Sequence, residues 1–146
     1  MPIWTLTPLV LPLRYTWKIS RNASTTKTNL LVRLRDGAHE GLGEAAPNVR
    51  YGETPESLQA EFEQLQQAGL NQCATLPELT ELLATHPPAH ALRFALESAL
   101  VHLEASRGGQ SVAEWLGVPS PAAAVPTAFT LPIMEPGAVA EFARQQ

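Results

Sequence analysis

The segment from Pro88 to Ser106 carries the strongest helical pattern in the chain, and it constrains the fold more than any other feature. Its apolar residues recur three and four positions apart, as on one face of an α-helix. They are Leu92, Ala95, Leu96, Ala99, Leu100 and Leu103. The small alanines in this stripe let a neighbouring backbone approach closely. The sequence therefore predicts a long helix that packs tightly against another element.

The same helix carries a second apolar pair on its opposite side. Phe94 and Val101 lie one heptad apart there. A helix that is apolar on two sides is typically buried on both. We therefore expect this helix to lie between two layers, of which the chain supplies material for only one.

The first third of the chain favours β-strands. Ile3–Val10 and Leu13–Ile19 are rich in aromatic, β-branched and leucine residues, which suit half-buried strands. Pro8 has no N–H for a hydrogen-bonded ladder, so the first strand is expected at a sheet edge or with a bulge. Ser20–Lys27 is polar and rich in small residues, which indicates an exposed loop.

A strand, a tight turn and a returning strand follow this loop. In Thr28–Arg35 the apolar residues Leu30, Val32 and Leu34 alternate with polar ones. Asp36-Gly37 is a turn signal, because glycine tolerates a positive φ. Glu40–Ala45 then returns as the partner strand. The sequence predicts a small antiparallel meander.

Helical start and stop signals fill the middle of the chain. Thr54-Pro55 combines a hydroxyl N-cap with proline at the first helical position, and Gly69 ends that helix. Thr75 and Glu78 have the spacing of a capping box, which predicts a second helix. Ser111–Leu116 is expected to form a short helix after the long one.

The last residues have the pattern of a single βα unit. Val125–Ile133 favours a strand, and Pro136–Gln146 favours a helix. One βα step cannot bury both faces of a parallel strand. We therefore expect the chain to stop short of its full domain.

Composition excludes several classes of protein. Of the 146 residues, 45% are apolar and 16% are charged, which is enough to build a core and excludes a disordered tail. The 10 basic and 14 acidic residues give a formal net charge of −4. Such a chain has no positive stripe to neutralise phosphates, so a nucleic-acid partner is not expected.

Two further features favour a cytoplasmic protein. The apolar stretch Met1–Leu13 lacks a basic leader, is interrupted by Pro8 and Pro12, and is too short to span a bilayer. No membrane association is therefore expected. Cys73 is the one cysteine, so an internal disulfide cannot form and a reducing compartment is favoured.

Three short motifs resemble cofactor- or metal-binding sites, but the residues around them favour structural roles. Gly41-x-Gly43-x-x-Ala46 matches a dinucleotide-binding fingerprint, but Pro47 follows where a helix must open, so we interpret the glycines as strand-end residues. His86 and His90 have metal-pair spacing with two prolines between them, which favours a surface loop. His102 flanks the long helix's stripe and is expected to be a hydrogen-bonded interface residue.

Charged residues give two weak candidates for chemistry. Glu40, Glu44 and Glu53 could pair for acid–base catalysis, although solvated charges at strand ends are the more common explanation of such a group. Arg21 and Lys27, in the polar segment, could bind an anionic group, with surface solubility as the alternative.

Several segments in order along the chain resemble the enolase superfamily, of the mandelate racemase and muconate-lactonising type, and most closely its dipeptide epimerases. They are Gly41-Leu-Gly-Glu-Ala-Ala-Pro47, Arg50-Tyr-Gly-Glu53, Ala95-Leu-Glu-Ser-Ala-Leu100, Ser111-Val-Ala-Glu-Trp-Leu-Gly-Val-Pro119 and Val125-Pro-Thr-Ala-Phe-Thr130. The resemblance spans nearly the whole chain.

The resemblance implies an α+β architecture. Residues 1–119 would form the N-terminal capping domain, a three-stranded antiparallel meander followed by helices. Residues 120–146 would supply the first strand and helix of a truncated (β/α)₈ barrel, a fold that takes about 250 residues. The remainder of the barrel would be absent.

The resemblance also implies an isomerase that epimerises the α-carbon of a dipeptide or a related acyl amino acid. In this family Mg²⁺ assists proton abstraction through an enediolate, and lysine bases and carboxylate ligands lie on later barrel strands. This chain would therefore hold no catalytic or metal-binding residue and be inactive alone. Its expected part is substrate binding, by Arg21, Tyr51 and Thr130.

Two alternatives remain open on the residues alone. Within the superfamily, o-succinylbenzoate synthase or muconate cycloisomerase would use a similar capping domain. Outside it, the chain could be a non-catalytic α+β binding module that functions at its present length. The sequence is compatible with a homo-oligomer but does not fix the oligomeric state.

Overall fold

Three strands open the chain and form one sheet in the order β1-β2-β3. They are β1 (Ile3–Ile19), β2 (Asn22–Asp36) and β3 (His39–Ala45). In this computed structural model, which describes residues 1–20, 22–118, 126–128 and 130–145, β2 and β3 pair antiparallel with Leu34 opposite Gly41. Gly37, with φ of 61°, lies in the turn between them. The meander predicted from the sequence is confirmed.

The first hairpin differs from the prediction in two places. Ile3–Val10 and Leu13–Ile19 form one continuous strand, and Pro8 lies on the edge strand, as expected. The predicted loop Ser20–Lys27 is wrong, because β2 already begins at Asn22. Its polar side chains from Ala23 to Lys27 stay largely exposed, so their polarity does not oppose an extended backbone.

Five helices follow the sheet in the described part of the chain. They are α1 (Pro55–Gln67), α2 (Leu76–Thr85), α3 (His90–Arg107), α4 (Val112–Trp115) and α5 (Pro136–Arg144). The Thr54 side chain accepts from Ser57 N–H before α1, and Thr75 and Glu78 form the expected capping box before α2. Gly69, with φ of 111°, follows α1. The predicted helix starts are therefore confirmed.

One cluster of buried residues from the sheet, α1, α2 and α3 forms the core. The predicted stripe of α3 is fully buried, and so are Leu30, Val32 and Leu34 on the facing side of β2. A Cβ on Gly43 would lie 1.9 Å from the Ala95 carbonyl oxygen. A Cβ on Gly41 would lie equally close to the Ala99 carbonyl oxygen. The close approach expected of the alanines is confirmed, whereas the strand-end interpretation of the glycines is wrong: they lie within β3, where the helix leaves no room for a side chain.

An ion pair joins the far ends of β2 and α3. Arg107 Nη2 lies 2.6 Å from Asp36 Oδ2, and Arg107 Nη1 lies 3.1 Å from Glu104 Oε1. The hydrogen bond from Arg107, followed by that from the chain's amino terminus, holds the pKa of Asp36 below its ordinary value.

The predicted final strand is not present as such. The described residues 126–128 and 130–133 are neither strand nor helix, whereas the helix predicted after them is confirmed as α5. A barrel strand is defined by its hydrogen bonds to parallel neighbours. Within this segment Ile133 N–H donates to the Lys18 carbonyl oxygen at 2.9 Å. Val125 and Phe129, which the prediction also included, lie outside the described residues.

The chain divides into two compact units. The first unit contains Met1–Leu9 and Thr28–Ser120, and the second contains Val10–Lys27 and Pro121–Gln146. Both β1 and β2 contribute residues to each unit. Among the described residues, no helix is long and apolar enough to cross a membrane.

Candidate functional site

A short, tightly hydrogen-bonded turn in the first unit carries Tyr51. The turn runs from Asn48 to Glu53 around a single 3₁₀ turn, Val49–Tyr51. Tyr51 N–H donates to the Asn48 carbonyl oxygen at 2.9 Å, and Arg50 N–H donates to Asn48 Oδ1 at 3.0 Å. Gly52 takes φ of 74°, which a side chain would disfavour. The backbone of this segment, the Asn48–Glu53 turn, is therefore well defined by its own bonds.

The side chains at the tip of this turn point outward. Val49 is 82% exposed and Tyr51 is 69% exposed, although both are large hydrophobic residues. Exposed apolar and aromatic groups on a fixed backbone are typical of binding surfaces. The turn presents them beside the guanidinium of Arg50, which is exposed as well.

Glu53, at the other end of the turn, is one of two buried polar residues among those the structure describes, and only 5% of its surface is exposed. Its Oε2 accepts from Asn48 N–H at 3.0 Å, and its Oε1 accepts from Ala91 N–H in the first turn of α3 at 3.2 Å. Both carboxylate oxygens are thus occupied by backbone N–H groups. The hydrogen bonds of Glu53 therefore join the turn to the start of α3.

The other carboxylates considered for acid–base work also have partners of their own. Glu40 Oε1 lies 2.5 Å from Arg33 Nη1, and its Oε2 lies 2.7 Å from Arg35 Nε. The hydrogen bonds from Arg35 and then Arg33 lower the pKa of Glu40. Glu44 accepts from Asn29 Nδ2 at 2.5 Å. Each of the three carboxylates thus has hydrogen-bond partners of its own, which favours the structural explanation of these charges over acid–base catalysis.

Histidine and cysteine supply no site in the described residues. His86 ends α2 and His90 begins α3, both exposed, which confirms the surface interpretation. His102 Nδ1 accepts from Leu42 N–H at 3.1 Å, which confirms its expected role between helix and sheet. Burial, and then the charge of Glu78, raises the pKa of the Cys73 thiol and keeps it protonated.

An apolar cleft lies in the second unit. It has a volume of about 430 Å³ and is lined by Leu13, Arg14, Tyr15, Trp17, Lys27, Pro132 and Phe142. The rings of Tyr15 and Phe142 meet edge to face, with centroids 4.5 Å apart. Arg14 and Lys27 add positive charge to this aromatic lining. Such a cleft can accept an apolar group that carries an anion.

The three residues predicted to contact substrate lie in different parts of the chain, and the structure describes two of them. Tyr51 lies on the exposed turn of the first unit. Thr130 belongs to the second unit, where it is exposed and outside any helix or strand. Arg21 lies outside the described residues, between the last residue of β1 and the first of β2 in sequence.

Sequence reasoning missed the structural role of Glu53. The one available signal is its position immediately before the Thr54-Pro55 helix start, where a carboxylate is common. That signal points to α1, but Glu53 bonds to the start of α3, which no local pattern could reveal.

The chain is similar in sequence to a curated protein of known activity. The chain is 33% identical over 132 residues to the L-Ala-D/L-Glu epimerase of Escherichia coli (strain K12). That match covers 90% of this chain and 39% of the relative. The chain thus spans well under half the length of this curated relative. No protein-family model matches the chain.

Two crystal structures extend the match to the fold. An enolase family member from Agrobacterium tumefaciens with homology to dipeptide epimerases, solved with sodium and L-Ala-L-Glu, is 30% identical with a TM-score of 0.80. The match covers 99% of this chain and 43% of that one. The dipeptide epimerase from Methylococcus capsulatus, complexed with Mg and L-Arg-D-Lys, is 28% identical with a TM-score of 0.80, covering 98% and 41%.

The three-stranded antiparallel sheet and the helices that follow it match the N-terminal capping domain of the enolase superfamily over nearly the whole chain. Within that superfamily, the chain corresponds to the N-terminal part of the dipeptide epimerases. The resemblance seen in the sequence is therefore confirmed for both the superfamily and the branch.

Proposed function

We propose that this chain is the substrate-recognising part of a longer dipeptide epimerase, an isomerase that moves the proton at the α-carbon of one residue of a dipeptide. The observation that carries the proposal is the 33% identity to L-Ala-D/L-Glu epimerase along 90% of the chain. On this proposal residues 1–119 form the capping domain and residues 120–146 begin the barrel.

The residues present do not fit a magnesium site. Among those the structure describes, no three His, Cys, Asp or Glu side chains lie together. Mg²⁺ requires several converging oxygen ligands, usually including carboxylates. We propose, as the family resemblance implies, that the metal ligands and the catalytic bases lie in the longer enzyme outside this chain.

The part left to this chain is specificity. We propose that Arg21, Tyr51 and Thr130 contact the substrate in the longer enzyme, and that Arg21 binds an anionic group of it. A guanidinium forms a two-point contact with a carboxylate that an ammonium cannot form. Arg21 is therefore preferred over Lys27, which lines the apolar cleft of the second unit.

The test compares two dipeptides, L-Ala-L-Glu and its side-chain amide L-Ala-L-Gln, in the longer enzyme. Arg21→Met should reduce kcat/KM for the acidic dipeptide and leave the amide nearly unchanged. A charge-assisted pair contributes about 1.5–3 kcal/mol, or roughly 10- to 150-fold. Exchange of the α-proton in deuterated water, followed by NMR, measures turnover of both.

The matched control is Lys27→Met, which removes a cation of the same charge from the same polar segment of the sequence. We expect it to change the ratio of the two dipeptides less than twofold. Equal loss of both substrates in Arg21→Met would show that Arg21 is structural. No exchange with either dipeptide by the unaltered enzyme would overturn the proposed function itself.

A further inference from the structure

The first turn of α3 lacks a cap from its own sequence. Its N-cap position is Ala89, whose side chain accepts no hydrogen bond, and two prolines precede it. The first N–H groups of a helix have no partner within the helix and need acceptors from elsewhere. The structure supplies these acceptors from two distant carboxylates.

Glu61, on α1, is the first of these acceptors. Its Oε2 accepts from Ala89 N–H at 2.8 Å. Glu53 is the second, since its Oε1 accepts from Ala91 N–H. Both negative charges lie at the positive end of the helix dipole, where they are favourable. Both glutamates therefore cap the start of α3 in the same way.

Glu53 differs from Glu61 in what its other oxygen does. Glu53 Oε2 accepts from Asn48 N–H, at the opposite end of the turn that carries Tyr51. One buried carboxylate therefore joins α3 to the Asn48–Glu53 turn, with one oxygen for each. Among the described residues, Glu53 makes no ion pair that would compete for either oxygen.

Different hydrogen bonds determine the shape of the turn and its attachment to the core. The turn's internal hydrogen bonds determine its shape, as described above. They do not by themselves hold the turn to the core, and the exposed side chains of Val49 and Tyr51 add little packing that would do so. The carboxylate of Glu53 provides that anchor.

We propose that Glu53 is a positioning residue for substrate recognition: it clamps the Asn48–Glu53 turn to the start of α3 and so holds Tyr51 in place for the dipeptide. This inference rests on the proposed function for its kinetic part, since that part requires Tyr51 to contact substrate. The clamp itself depends only on the contacts of this chain.

Substitution by glutamine is expected to have different effects at Glu53 and at Glu61. A glutamine amide offers one acceptor oxygen and a donor NH₂ group. Glu61→Gln therefore keeps the single bond that Glu61 makes. Glu53→Gln can keep only one of two bonds, and its NH₂ group then faces a backbone N–H. We expect Glu61→Gln to leave the hydrogen bonds at the start of α3 unchanged, and Glu53→Gln to break one of the two bonds that form the clamp.

Amide hydrogen exchange by NMR on the 146-residue chain tests the clamp. In Glu53→Gln, exchange at Asn48 N–H or Ala91 N–H should accelerate at least tenfold over the unaltered chain and over Glu61→Gln. Unchanged exchange at both amides would overturn the proposal. Glu61→Ala serves as a second control, because it loosens the start of α3 without touching the turn.

Dipeptide kinetics in the longer enzyme test the positioning role. Glu53→Gln should raise KM about three- to tenfold, the usual cost of ordering a side chain on binding, with kcat within twofold. Tyr51→Ala, at an exposed position that the fold does not need, should raise KM as well. In the Tyr51→Ala background Glu53→Gln should then add less than twofold, because Glu53 acts through Tyr51.

The outcomes are distinguishable. A full additional KM increase from Glu53→Gln in the Tyr51→Ala background would overturn the positioning role. So would an equal KM increase in Glu61→Ala, because a loosened helix start would then suffice. Absence of turnover by the unaltered enzyme would overturn the proposed function instead, while amide exchange would still decide whether the clamp exists.

Discussion

Gly43 shows how a missing methyl group fixes the distance between a strand and a helix. A Cβ at this position would lie 1.9 Å from the Ala95 carbonyl oxygen and 2.8 Å from its carbon, both backbone atoms. Neither atom can move without displacing α3. The sequence pattern around Gly43 resembles a nucleotide-binding motif, but its physical reason is this contact.

We expect Gly43→Ala to lower the free energy of unfolding by at least about 2 kcal/mol, as overpacking a rigid contact does. Urea unfolding followed by circular dichroism measures this. Gly108→Ala is the matched control in the same unit, since its Cβ would lie 3.3 Å from the flexible Gln110 side chain and 3.5 Å, an ordinary contact distance, from the Ala105 carbonyl oxygen. A change of less than about 0.5 kcal/mol is expected there. Similar effects at both positions would contradict the close-contact explanation.

Residue patterns predicted buried positions well and polar contacts poorly. Leu30, Val32 and Leu34 are buried as their alternation predicts, because burial follows from period alone. Glu40 and Glu53 look alike in the sequence, yet one is paired with two arginines and the other caps a distant helix. A polar partner depends on tertiary distance, which one sequence does not encode locally.

At the scale of elements, α3 has one closed face and one open face. Leu96 is fully buried against the core, whereas Phe94 on the other side is 66% exposed. Phe94 and Val101 line an apolar cleft with Leu42, Val112 and Leu116. The helix is thus buried on one of the two sides that its sequence makes apolar.

The two faces predict opposite results in this chain. Leu96→Ala should lower the free energy of unfolding by about 2–5 kcal/mol, the range for a buried leucine. Phe94→Ala should cost less than about 1 kcal/mol, because little of its surface is removed from water. Chemical denaturation of both variants measures the difference. Equal losses would show that the open face is already packed, contrary to its exposure.

The first hairpin was the element that sequence patterns predicted least well. Polar Ser, Thr and Lys residues over 20–27 suggested a loop, yet β2 includes all of them from Asn22 onward. A strand that is exposed on both faces has no apolar alternation to reveal it. Arg21 itself lies outside the described residues, and its proposed contact with substrate does not depend on the loop prediction.

For the whole molecule, the enolase-type fold was predictable because motifs in order along the chain specify it, even where single elements were misassigned. The predicted final strand, Val125–Ile133, shows where prediction from the sequence fails. The resemblance there lies in Val125–Thr130, and a strand of the proposed barrel would need parallel neighbours before its backbone could pair. Secondary structure of this kind is a property of the assembled barrel and not of the segment.

The magnesium chemistry of the proposed enzyme is expected to be a property of the assembled molecule as well. In the described part of this chain the acidic side chains that carry shifted pKa values are already committed: Asp36 to Arg107, Glu40 to Arg33 and Arg35, Glu78 and Glu114 to backbone N–H groups. Mg²⁺ gives up its hydration shell reluctantly and needs carboxylates that converge.

We therefore expect the purified 146-residue chain to bind Mg²⁺ no more tightly than about 1 mM by isothermal titration calorimetry, the range of weak surface association. It should also leave L-Ala-L-Glu unchanged in deuterated water. The longer enzyme should exchange the α-proton of the same dipeptide and lose that activity on addition of EDTA. Micromolar Mg²⁺ binding by the 146-residue chain, or turnover by it that EDTA abolishes, would place the metal ligands within these residues and overturn the division of roles proposed here.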